Sequence, residues 1–207
     1  CNRAAPDRQA RIAILDAGLI VVALNRRWFF LTALAAVGTV LMQVGWASRF
    51  FTAEKYFEGN KILVALAVLL GFNALYLVAA WWAKQRKELT WWLTGSAFGL
   101  AAVALMFTAW FLTFPPLAQR PWLIFGFVFL IDLAVTALAL LDDEAVVAQP
   151  IGGLAVFGLL AAWTGNSLSN ELLNAALAFY FIFAVMHSLS PMLRKHQRGV
   201  TGPLWGS

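Results

Sequence analysis

Apolar residues run almost without interruption through this chain, and polar residues collect in short gaps between the runs. A bilayer core of roughly 30 Å needs about 20 apolar residues in helical form. Five runs meet that length: Trp28–Ala47, Ile62–Ala83, Thr90–Leu112, Trp122–Leu141 and Leu172–Leu189. Two more are shorter. Ile12–Leu24 carries Asp16, and Ile151–Trp163 reaches span length only by starting near Ala145 and kinking at Pro150. Barrel strands would alternate apolar and polar residues with period two. These runs do not, so the pattern predicts an all-α bundle of transmembrane helices near 12–24, 28–47, 62–83, 90–112, 122–141, 145–163 and 172–189. A polar segment, 1–11, precedes them, and a basic tail, 190–207, follows.

Tryptophan marks the same boundaries independently. An indole joins one N–H to an apolar body and settles at headgroup depth. Trp28, Trp46, Trp81, Trp82, Trp91, Trp92, Trp110, Trp122 and Trp163 all fall near predicted helix ends. The connections are short and carry most of the charge. They include Arg26-Arg27, the aromatic stretch Ser48–Lys61, Lys84–Leu89, a rigid break at Phe114-Pro115-Pro116, the acidic cluster Asp142-Asp143-Glu144, and Thr164–Glu171. No loop is long enough to form a domain, so any site must lie within or between helices.

Composition excludes the competing classes. Of 207 residues, 62% are hydrophobic and 12% charged, against about 45–50% and about 25% in a soluble domain. So few charges cannot cover so much apolar surface in water. A single cysteine, Cys1, makes no internal disulfide. The net charge of +5 sits in loops and tail, which points to anionic headgroups and the lipid bilayer as partner, not nucleic acid. The 15 Lys and Arg divide almost evenly between the two sides of the bundle. The tight loops holding Arg26, Arg27, Lys84, Arg86 and Lys87, with Arg194, are assigned to the cytoplasm.

A polar residue recurs within the helices. Asp16, Asn73 and Asp132 follow one another at spacings of 57 and 59 residues. Arg27-Trp28 through Trp46 also resembles Thr90-Trp91 through Trp110. The expected unit is a two-helix hairpin, repeated in parallel along the chain. Leu15-Asp16-x-Gly18, the Arg26–Trp28 turn and the Gly-Thr helix ending at Trp46 resemble large bacterial membrane proteins of the domain of unknown function 2339 family. The resemblance is strongest over Ile12–Leu112 and fades after Pro115. It implies a long helical array in the bacterial inner membrane, behind an N-terminal coiled coil, and no known activity. It also implies that this chain, which starts at Cys1, is a piece of a longer polypeptide.

The candidate chemistry is sparse. Asp132 lies ten residues past Trp122, roughly 15 Å deep. A carboxyl there costs about 2.5–3.5 kcal/mol to insert, so it must be protonated, paired or turned to a polar cavity. Asp16, Asn73 and Asp132 therefore form the candidate intramembrane polar site, either as a proton or cation relay or as interhelical hydrogen-bond glue. His187 reads as an interfacial hydrogen-bonder, and His196 as part of the headgroup-facing Arg194–Arg198 tail. Gly95, Gly99 and Ala102 form a small-residue stripe, a candidate surface for close helix packing. No nucleophile, phosphate-loop, metal or dinucleotide motif occurs, so no catalytic residue, metal or cofactor is assigned. Three function classes stay open: a non-enzymatic membrane scaffold or envelope component, a transporter using Asp132, Asn73 and Asp16, and a membrane-embedded transferase.

Overall fold

A computed structural model describes residues 14–22, 26, 28, 30–52, 56, 61–141 and 147–198. The polar N-terminal segment, the Asp142-Asp143-Glu144 cluster and the end of the basic tail lie outside the described residues. Within them every regular element is helical. The first predicted helix is described over residues 14–22 and is α1. Then follow α2 (Phe30–Phe50), α3 (Lys61–Gln85), α4 (Trp91–Leu112), the short α5 (Pro115–Ala118), α6 (Pro121–Leu141), α7 (Ala148–Ser167) and α8 (Leu173–Arg198). Six of the described helices, α2, α3, α4, α6, α7 and α8, are long and apolar enough to cross a membrane. The chain is a multi-pass helical membrane protein.

Helix α6 is the hub. It packs against α3, α4, α7 and α8, while α2 packs on α4 and α7 on α8. Ile124, Phe125, Val128 and Ile131 are all fully buried, so α6 hides several faces at once. Between apolar helices in lipid the attraction is close packing and hydrogen bonding, not the expulsion of water. Large apolar side chains accordingly stay exposed on the outer helices, as Leu34, Val78, Leu154 and Phe181 do.

Local chemistry explains the ends. The α3–α4 turn closes by a Schellman arrangement, with Glu88 N–H bonded to Ala83 O at 2.9 Å and Lys87 N–H to Lys84 O at 3.0 Å. This places Lys87 in the left-handed region, at φ 58°. Prolines 115 and 116 stand in the first turn of α5, where a missing N–H costs nothing. The Phe114-Pro115-Pro116 break is thus both a stop and a start.

Several sequence expectations need correction. The expected start near Ala145 lies outside the described residues; α7 is assigned from Ala148, with Pro150 in its first assigned turn, and continues past Trp163 to Ser167. The tail does not begin at 190, because α8 carries on through Pro191 to Arg198. Trp163 does not face headgroups. It is 2% exposed, and its indole N–H donates to the Ala118 carbonyl at 2.9 Å, fixing α7 to α5. The first aromatic residue after α2 also turns inward. Phe51 is buried, stacks on Tyr56 at 5.0 Å and meets Trp110, Phe111 and Phe114.

Candidate functional site

The three candidate polar residues do not form one site; each is buried with a different partner. Asp16, on α1, takes a hydrogen bond from the Thr39 hydroxyl of α2. The same hydroxyl also faces the Ala35 carbonyl at 3.0 Å. One turn further along α1, Ile20 enters the cluster of Ala36, Tyr76, Ala80 and Leu93. Tyr76 donates to the Thr32 carbonyl at 3.2 Å, tying α3 to α2. Asn73 turns back on its own helix and donates to Leu69 O at 2.9 Å. The sequence recurrence of Asp16, Asn73 and Asp132 is therefore not repeated in their partners: a hydroxyl on the next helix, a carbonyl of the same helix, and an imidazole two long helices on.

That last pair is the most demanding in the bundle. Asp132 sits midway along α6 and is 1% exposed. Its Oδ2 lies 2.9 Å from His187 Nε2 of α8. His187 is thus not an interfacial residue but the partner of the most buried carboxyl among the described residues, and Phe157 of α7 stands 6.0 Å from its ring. Two glycines let the pair fit. A Cβ on Gly153 would stand 3.0 Å from His187 Cε1 and 3.1 Å from Nδ1. A Cβ on Gly152 would stand 3.2 Å from Val135 Cγ1 and 3.5 Å from Asp132 Oδ1. The Gly152-Gly153 step presents bare backbone where α6 and α8 bring their polar groups together.

The helix carrying His187 is specialised as well. Pro191 has no N–H to give to the carbonyl four residues back, which is that of His187. The Ser190 hydroxyl donates there instead, at 3.0 Å. His187-Ser188-Leu189-Ser190-Pro191 therefore keeps α8 continuous through a proline. Two polar atoms near the pair have no hydrogen-bond partner among the described residues: Asp132 Oδ1 and, one turn along α6, Thr136 Oγ1. Below Asp132 the packing is aromatic, with Phe125 on Phe179 at 5.4 Å and Phe129 on Phe183 at 6.2 Å. Polar side chains thus lie to one side of the pair, toward Thr136 and Ser190, and rings close the other.

Sequence reasoning singled out Asp132 and missed His187 as its partner. A signal existed. Phe179, Phe183 and His187 recur every four residues, so His187 continues a buried stripe of α8. In a helix apolar on all sides that stripe does not stand out. Gly95, Gly99 and Ala102 prove to lie on the outer face of α4. A Cβ on either glycine would meet nothing within 4 Å, so no helix of the described chain uses this stripe. The opposite face, with Leu93, Ala97, Leu100 and Ala104, is the buried one. Among the described residues no group of three or more His, Cys, Asp or Glu could hold a metal ion.

Comparisons with family models, with curated proteins and with solved structures give no match for this chain. Its class rests on its own helices: a multi-pass integral membrane protein with a buried Asp–His couple in its hub.

Proposed function

We propose that the protein is a non-enzymatic membrane component, a scaffold or envelope element whose helices present a defined surface within the bilayer. One observation carries this reading. The intramembrane polar groups are engaged at separate places, Asp16 with Thr39 beside Tyr76 and Thr32 O at one, Asp132 with His187 at a second and Trp163 with Ala118 O at a third, and so act as pins between helices. A solute path would gather them around one cavity. The resemblance over Ile12–Leu112 supports membership of the domain of unknown function 2339 family and residence in a bacterial inner membrane. The full-length gene product tests that membership: a coiled coil ahead of Cys1 and further hairpins after Ser207 are expected, and their absence counts against it.

A second reading, transport of a small solute or ion coupled to protons, is favoured by the Asp132 Oδ1 and Thr136 Oγ1 atoms beside the pair. Intramembrane carboxyl–imidazole couples suit proton relay. The double variant Asp132→Asn/His187→Gln separates the two readings, since it keeps hydrogen bonding and removes titration. In cells lacking the native chain, a scaffold is restored fully by the double variant at equal membrane abundance. Failure to restore function at that abundance favours the transporter.

A further inference from the structure

A groove of about 560 Å³ opens between the last turns of α4 and α7, beside α5. Its size falls within the 300–1,000 Å³ typical of small-molecule sites. Its position is set by the ends of two spanning helices, so it lies where hydrocarbon gives way to headgroups. The lining is graded. Leu112, Leu159 and Ala162 offer an apolar wall. Gln119, Asn166 and Ser167, at the helix ends, add neutral amide and hydroxyl groups. The exposed Arg120 follows Gln119 directly. The groove is also preformed, because the Trp163 indole among its lining residues is bonded to Ala118 O at 2.9 Å and buried. That bond fixes α7 and α5 at a set separation.

We infer that this groove binds one glycerophospholipid molecule of the surrounding bilayer. The wall takes an acyl chain, and the amide and hydroxyl groups donate to phosphate oxygens. The occupant follows from the depth and from the grading along the helix axes, apolar then polar, which is the order of groups along a phospholipid. A helix from another protein would need a groove continued along the bundle, whereas this one is confined to the last turns of α4 and α7. A water-soluble ligand would leave the Leu112–Leu159 wall unmatched. The site is independent of the Asp132–His187 pair and does not rest on the scaffold reading.

Native mass spectrometry of the chain in mild detergent tests the assignment, with phosphatidylglycerol, phosphatidylethanolamine and diacylglycerol of identical acyl chains added in turn. Both phospholipids are expected to give a first bound molecule held about tenfold more tightly than diacylglycerol. Ala162→Trp fills the groove and should weaken that first binding about tenfold. Leu154→Trp, on the exposed face of the same helix, should leave it unchanged. Gln119→Leu/Asn166→Leu keeps the wall and should remove the preference over diacylglycerol. Thermal unfolding without added lipid identifies any variant that misfolds, and the remaining variants then carry the test. Equal retention by the parent and Ala162→Trp means annular lipid only and overturns the proposal. So does equal binding of phospholipid and diacylglycerol by the parent, or a loss with Leu154→Trp as large as with Ala162→Trp.

Discussion

The two buried carboxyls among the described residues sit in contrasting surroundings. Asp16 meets a hydroxyl at the edge of the bundle, on a short described helix with Leu15 and Leu19 exposed on either side. Asp132 meets an imidazole at the hub, where α6, α7 and α8 converge. Their glycines differ in the same sense. Gly18, two residues from Asp16, has nothing within 4 Å of a Cβ, whereas Gly153 has the His187 ring at 3.0 Å. A carboxyl at the edge can be answered by one small neighbour. A carboxyl in the hub needs a long partner, and that partner needs a helix without side chains beside it. Burial depth, not residue type, decides how much surrounding sequence a polar residue commits.

The largest effect is expected from removing one member of the hub pair. His187→Ala leaves both Asp132 oxygens without a partner and should destabilise the protein by about 3 kcal/mol. Denaturant titration in mixed micelles measures this. The double variant Asp132→Leu/His187→Leu should recover most of the loss, because an apolar pair leaves no buried polar group unmatched. If His187→Ala costs no more than Thr39→Val, the contrast between hub and edge fails.

Gly153→Ala comes next. The added carbon forces the imidazole aside, and overpacking of this kind costs about 1–3 kcal/mol. Gly18→Ala should be neutral or stabilising by up to about 1 kcal/mol, since alanine favours helix and meets open space. Matched unfolding curves of the two variants sharpen the comparison, and equal midpoints would refute it. At the edge, Thr39→Val keeps the shape but removes the hydroxyl and should cost about 0.6–1.7 kcal/mol by the same titration.

The smallest effect lies outside both sites. Lys87 holds a left-handed conformation at the α3–α4 turn. Lys87→Gly should relieve it and stabilise by roughly 0.5–1 kcal/mol. A melting-temperature rise with no change at either carboxyl would set the baseline for a change in the turn alone. A fall would mean that the left-handed turn there does not need relief.

How far the sequence carried the reading differed between elements. Continuous apolar runs located α2, α3, α4 and α6 to within about three residues, because a helix in lipid must satisfy its own backbone and be long enough to cross. The same runs mislaid α7 and α8. α7 runs past Trp163 to Ser167, and α8 continues through Pro191, where the Ser190 hydroxyl answers the His187 carbonyl. Proline removes one N–H; whether that ends a helix depends on which group answers the freed carbonyl. The partner of Trp163 was missed for a related reason: an indole satisfied by headgroups and one satisfied by Ala118 O are indistinguishable in sequence.

By itself the sequence determined the environment, the helical class, most spans, and that Asp16, Asn73 and Asp132 would need partners. Those follow from solvation, which each residue meets on its own account. The tertiary structure alone decided which partners they found, that His187 reaches Asp132 past Gly152-Gly153, that the Gly95–Ala102 stripe faces outward, and that α4, α5 and α7 leave a groove. In helices apolar on every side, hydrophobicity does not say which face turns inward. That choice is made by how neighbouring helices fit, and the fit exists only when they are assembled.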